Sequence, residues 1–213
     1  MNKYLNKVIC GDCLEIMKEM PDNSVNLVLT DPPYGISADC GVGGFGSSKQ
    51  TAKKYKDDWD KQTPKKIVFD EILRIGKNVV IFGGNFFTDK LPVNGHWIVW
   101  DKVGEIKFNN PFSKAELAWT NLNKNSVNKY VIIQQGFISK EKDRFHPTQK
   151  PVELFGNIIK DYSDENSIVL DPFLGSGTTA IACQNLHRNF IGIEISPEYC
   201  EVANQRLRQK PLL

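Results

Sequence analysis

Short apolar runs alternate with stretches of helical spacing along the 213 residues. Lys7–Cys10 reads as a short strand that ends at Gly11-Asp12, and residues 14–20 as a short amphipathic helix. Val25–Thr30 is apolar enough for a buried strand. Thr63-Pro64 makes a helix start, with threonine as N-cap and proline in the first turn. Ile67, Val68, Ile72, Leu73 and Ile75 form that helix's apolar side, and Gly76 stops it. Residues 78–82, "NVVIF", read as a third buried strand. Three more strands are expected at 96–100, 115–120 and 130–134. They lie too close together for full crossovers, so some antiparallel pairing is expected. A helix over 151–162, a strand at 168–170, a helix at 178–186 and a strand at 190–195 follow. A last helix starts after Ser196-Pro197. The fold class is α/β, with a doubly wound, mainly parallel mixed sheet.

Bulk composition narrows the function classes. Hydrophobic residues make up 40% and charged residues 24%, ordinary values for a globular chain. The net charge of +2 is too small to argue for nucleic-acid binding by itself, so any such surface is local. No apolar run reaches membrane-spanning length, and residues 1–7 lack the apolar region of a signal peptide. A cytoplasmic protein is expected. The five cysteines, Cys10, Cys13, Cys40, Cys183 and Cys200, are odd in number and scattered, unlike a disulfide framework. Cys10 and Cys13 form a C-x-x-C without two further ligands, and His96, His146 and His187 are isolated, so no metal is expected.

Two segments carry chemistry. After the Val25–Thr30 strand come Asp31-Pro32-Pro33-Tyr34. The proline pair ends the ladder and stiffens the backbone, holding a carboxylate and a phenol at a strand's carboxyl end. Open α/β sheets place their ligands there. A hydrogen-bond acceptor, free carbonyls and an aromatic face together suit a planar base bearing an amino group. The same residues would also serve as a plain corner.

The second segment is "IVLDPFLGSGTTA", residues 168–180, followed by "NFIGIEIS", residues 189–196. A strand delivers Asp171, Gly175-Ser176-Gly177 forms a turn, a helix begins near Thr178, and the next strand ends in Glu194. This is the plan of a nucleoside-binding βαβ unit, with the terminal acid placed for ribose hydroxyls. No lysine precedes Thr178, so it is not a P-loop. Asp171 ahead of the glycines would repel a pyrophosphate but suits the ammonium of an amino acid. S-adenosylmethionine (SAM) carries that ammonium, a ribose and an adenine, and no phosphate.

Together these segments resemble the SAM-dependent DNA amino-methyltransferases, in the group whose catalytic motif precedes the cofactor motif. "DPPYG" matches the catalytic motif, which assigns Asp31, Pro32, Pro33 and Tyr34. "DPFLGSGTT" matches the cofactor motif, with Phe173, Gly175 and Gly177 in the Phe-x-Gly-x-Gly form. "GIEIS" supplies the ribose acid. "HPTQKP" matches the segment lining the methionine end of the pocket and brings in His146, Thr148 and Lys150. "GDCLEIM" matches the acidic turn that contacts the adenine, which assigns Asp12. The resemblance implies direct methyl transfer to a base flipped out of duplex DNA, with Asp31 and the Pro32 carbonyl accepting the amino hydrogens and Tyr34 stacking on the base.

Aspartate at position 31 is the family's commoner choice for adenine N6, and serine for cytosine N4. An N4-cytosine enzyme is the alternative, as is a non-catalytic nucleic-acid-binding subunit. A Rossmann oxidoreductase would leave Asp171 and the tetrapeptide unexplained. Residues 1–213 read as one catalytic domain. Loop 35–62 carries lysines for phosphates and aromatics for a disturbed duplex. A short basic segment, 121–145, stands where larger relatives have a target-recognition region. DNA is the expected partner, with a second copy or another subunit supplying sequence recognition, in the manner of a restriction-modification system.

Overall fold

Val25, Leu27, Val28, Leu29 and Thr30 are fully buried, as a strand at the middle of a sheet must be. In the computed structural model, which describes residues 1–36, 60–106, 113–122, 126–134 and 149–209, this strand lies between two parallel neighbours. The strands are β1 (Lys7–Cys10), β2 (Val25–Thr30), β3 (Gly76–Phe82), β4 (Trp97–Asp101), β5 (Ala115–Thr120), β6 (Val127–Val131), β7 (Ile168–Asp171) and β8 (Asn189–Glu194). The helices are α1 (Cys13–Lys18), α2 (Lys66–Ile75), α3 (Val152–Tyr162), α4 (Thr178–Asn185) and α5 (Pro197–Arg208). The described strands form one sheet in the order β1-β8-β7-β2-β3-β5-β4-β6. Only β5 runs antiparallel to its neighbours, β3 and β4.

Alternation of side chains along the central strands separates two apolar layers. Leu27, Leu29, Val80 and Phe82 face α3 and α4, against Phe155, Ile158 and Ala180. Val28, Val79 and Ile81 face the other way, toward α1 and α2, against Met17, Phe69 and Ile72. Helices therefore cover both faces, the doubly wound arrangement expected from the alternation of elements.

The differences from expectation are local and have physical causes. Helix α2 begins at Lys66 with Lys65 as its cap, not at Thr63. The Thr63 hydroxyl instead accepts a hydrogen bond from the Lys90 ammonium, and the Thr63 backbone packs on Gly35. β3 starts at Gly76, directly off α2, where a Cβ would lie 2.7 Å from Val28 Cγ2. β6 ends at Val131 because its partner β4 ends at Asp101. The chain keeps bonding past that point: the N–H groups of Ile132 and Gln134 donate to the carbonyls of Asp101 and Lys102. Most of loop 35–62 and much of segment 121–145 lie outside the described residues. No helix among the described residues is long and apolar enough to cross a membrane.

Candidate active site

β2 continues through α2 to β3 on one side, while β7 continues through α4 to β8 on the other. Neighbouring strands that part in this way open a crevice at their carboxyl ends. A cavity of about 600 Å³ lies there, lined by Asp31 and Pro33 after β2 and by Asp171, Phe173, Gly175, Ser176 and Thr178 after β7. Glu194 at the end of β8 and Lys150 before α3 also line it. The two sequence segments thus meet in one space.

Asp171 is 3% exposed, and its carboxyl is held on both oxygens. Oδ1 accepts from the Thr30 hydroxyl (2.8 Å) and from the Phe173 N–H (3.0 Å), and Oδ2 accepts from the Thr179 hydroxyl (2.5 Å). Burial pushes this carboxyl up to about 7, against the pull of Thr179 and Thr30. Glu194 closes the glycine turn from below: Oε2 accepts from the Gly175 N–H (2.7 Å) and Oε1 from the Ser196 N–H (2.8 Å). Gly175 has φ +55° and open space where a Cβ would sit, so its backbone is free for close approach. Gly177 caps α4 and is pressed against Ala203 instead; it does not line the cavity.

The Ser176 hydroxyl donates to Gln149 Oε1 (3.2 Å), and its carbonyl accepts from Arg206 (2.6 Å), which fixes the turn from two sides. Asp12 is outside the cavity lining; its side chain caps α1 by accepting from the Leu14 N–H (2.8 Å). His146 and Thr148 lie outside the described residues.

At the tetrapeptide, the Tyr34 hydroxyl donates to Asp31 Oδ1 (2.5 Å). Its ring stacks on Phe86, with centroids 4.9 Å apart and planes 17° apart, and meets Phe87 edge-on. Pro32 is buried. The Lys150 ammonium donates to Asp31 Oδ2 and lies 3.2 Å from Glu116 Oε2. Lys150, expected at the methionine end of the pocket, is thus bound to the tetrapeptide carboxylate. Burial works against its charge, but Asp31, Tyr34 and Glu116 outweigh it and hold the ammonium protonated well above the ordinary range. Burial likewise raises Asp31, opposed by Lys150.

Sequence reasoning missed Thr30, Phe86 and Glu116. Glu116 left a readable signal: it shares strand parity with the inward-facing Ala118 and Thr120, a poor position for a solvated acid. Phe86 sits in a short 3-10 turn whose fold depends on Gly83 at φ 69°, and nothing in its local pattern marks it.

The donor set tests which ligand the cavity fits. Among the described residues, Asp31, Asp171 and Glu194 line it against the one ammonium of Lys150, already engaged by two carboxylates. Such a lining disfavours a phosphate and fits a cationic nucleoside. The apolar remainder, including Phe173, Leu174, Ile195, Pro197 and Tyr199, fits an adenine ring. SAM meets both conditions. Among the described residues no group of side chains is arranged to hold a metal ion.

Comparison with known proteins agrees with this geometry. A family model described as "DNA methylase", for the N6/N4 enzymes, matches residues 107–205. The Type II methyltransferase M.BglII of Bacillus subtilis is 29% identical over 255 residues, covering 98% of this chain and 71% of its own length. The crystal structure of the M1.HpyAVI–SAM complex superposes with a TM-score of 0.60 at 26% identity, over 94% of this chain and 98% of that one. The PvuII DNA methyltransferase, cytosine-N4-specific, shares the fold at 17% identity with a TM-score of 0.63, over 97% of this chain and 87% of that one. These comparisons make the chain similar, over nearly its whole length, to DNA methyltransferases of the N6/N4 amino-methylating kind, one of them solved with SAM.

Proposed function

We propose that this protein transfers a methyl group from SAM to the exocyclic N6 of an adenine in DNA, in a single direct step on a base turned out of the helix. The observation that supports the reading is the shared cavity at the sheet's switch point, lined by both Asp31 and Asp171. SAM supplies an electrophilic methyl on a sulfonium.

The protein's own groups do the rest. Asp171 takes the amino-acid ammonium, Glu194 the ribose hydroxyls, and Phe173 with the apolar lining the adenine of the cofactor. Gly175, Ser176, Gly177 and Thr178 shape the turn that lets backbone approach it. Asp31 and the Pro32 carbonyl accept the two N–H groups of the target amine. That draws its lone pair out of the ring and toward the methyl. The N–C bond forms as the S–C bond breaks, so positive charge appears on nitrogen, where the Asp31 carboxylate stabilises it. The nitrogen then loses a proton, and Asp31, raised by burial, is the acceptor at hand. Tyr34 and the 40%-exposed Phe86 offer the aromatic surface for the base. Holding donor and acceptor in line supplies the orientation.

Residues 1–213 act as one catalytic domain in this reading. The short basic segment leaves sequence recognition to loops or to a second subunit. The described cysteines are free thiols, in keeping with work in the cytoplasm. Aspartate at the head of the tetrapeptide favours adenine over cytosine. Incubating unmethylated DNA with methyl-labelled SAM and digesting it to nucleosides tests the assignment. The label is expected in N6-methyladenine; label in N4-methylcytosine would move the target, and no label in DNA would overturn the reading.

A further inference from the structure

One ammonium of the site stands in an awkward place for the transfer. Lys150 sits on Asp31, the carboxylate meant for the base amine. A fixed positive charge beside the nitrogen that itself becomes positive would oppose transfer. The lysine side chain needs a second anion within reach, and Glu116 on β5 is there. One Glu116 oxygen, Oε1, accepts from Lys102 at 2.8 Å. The other, Oε2, is buried, lies 3.2 Å from Lys150 Nζ, and has no hydrogen-bond partner of good geometry among the described residues. A buried carboxylate oxygen left short of a donor, one contact away from an ammonium, is an open seat.

We propose that Glu116 is a positioning residue for the methyl transfer, receiving the Lys150 ammonium when the base amine takes its place on Asp31. The lysine stays protonated throughout and no proton is transferred in the exchange; paired with both carboxylates at the start, it gives up Asp31 and keeps Glu116. Lys102 keeps Glu116 anionic and in place, and these two lysines together hold its carboxyl below the ordinary range against the effect of burial. The groups facing Lys150 are Asp31, Tyr34 and Glu116, with Lys102 on the far oxygen. Without the seat, Lys150 stays on Asp31 and the base meets an occupied acceptor. The Lys150 ammonium itself lies over the Phe82 ring, 5.5 Å from Nζ to its centroid, and 3.2 Å from Glu116 Oε2, so only a short movement separates its two anionic partners.

The inference rests on the proposed methyl transfer and deepens it. Its test compares the wild type with Glu116→Gln and Glu116→Asp. Three quantities are read: single-turnover transfer to DNA, binding of S-adenosylhomocysteine, and the preference for an adenine oligonucleotide over one with purine, which lacks the amine. Glu116→Gln is expected to slow transfer roughly tenfold or more and to erode the adenine preference, with S-adenosylhomocysteine binding within about twofold. Glu116→Asp, which keeps the charge, is expected to retain most of both. Wild-type rates in Glu116→Gln, a loss of rate with the adenine preference intact, or equal losses in both variants would overturn the inference. A wild type that binds adenine preferentially but transfers no methyl would overturn the proposed function instead, while the binding comparison still reads Glu116.

Discussion

The Thr30 hydroxyl donates a 2.8 Å hydrogen bond to Asp171 Oδ1 and ties the carboxyl ends of β2 and β7 together. Thr30 is fully buried and immediately precedes Asp31, so one contact couples the tetrapeptide to the carboxylate of the cofactor half. Replacing Thr30 with valine keeps shape and burial but removes the donor. The variant should lose about 1–2 kcal/mol of stability in urea unfolding. Its affinity for SAM should fall by a few-fold to about tenfold, read by calorimetry, because Asp171 then sits with one donor fewer.

Asp171 also sets a pH dependence. Its carboxyl, ordinarily at 3.8, is pushed up to about 7 by burial in the folded protein. The native state therefore binds that proton more tightly than the unfolded chain between these values. The stability it contributes is full below 3.8 and is lost as pH rises through about 7. SAM binding runs the other way, since the ammonium needs the ionised form, and should weaken as pH falls below about 7. Asp171→Asn should remove both dependences. Urea midpoints and SAM titrations across pH 5 to 8 in parallel check this.

Glu194 clamps the glycine turn through Gly175 and Ser196 while lining the cavity. Glu194→Gln loses one of these charge-assisted acceptors and the charge offered to the ribose. SAM affinity should drop roughly tenfold to a hundredfold. An unchanged dissociation constant would remove Glu194 from the cofactor site.

How much of this was legible in the chain follows from what each residue's neighbours in sequence reveal. The central strands and the glycine turn could be read because they are continuous: Val25–Thr30 is apolar throughout, and Asp171 to Glu194 places strand, turn, helix and acid in order. Contacts between distant segments could not. Lys150 reaches Asp31 across 119 positions, and Glu116 meets Lys150 from a strand with no motif. The register of β6 escaped for a similar reason, since its pairing depends on where β4 ends. Asp12 was assigned by resemblance alone; one of its carboxylate oxygens caps α1.

Gly83 offers a prediction that isolates Tyr34. Its φ is +69°, and a Cβ there would fall 2.1 Å from Tyr34 Cε1. Gly83→Ala must push the ring off Asp31 and Phe86, and it also strains a left-handed residue by roughly 1–2 kcal/mol. Methyl transfer should fall at least about tenfold, with SAM binding near wild type, because Tyr34 is not part of the cavity lining. A variant that keeps full turnover would show that the ring's position does not matter.

The central claim is that Asp31 accepts the target amine beside bound SAM. Its most direct test is transfer of labelled methyl from SAM to DNA by the wild type and by Asp31→Ala, with SAM binding measured on both. The wild type should place label on adenine N6. The variant should bind SAM to a similar extent and transfer no detectable label. Near-normal transfer by Asp31→Ala, or a wild type that binds SAM and DNA yet modifies neither adenine nor cytosine, would contradict the account.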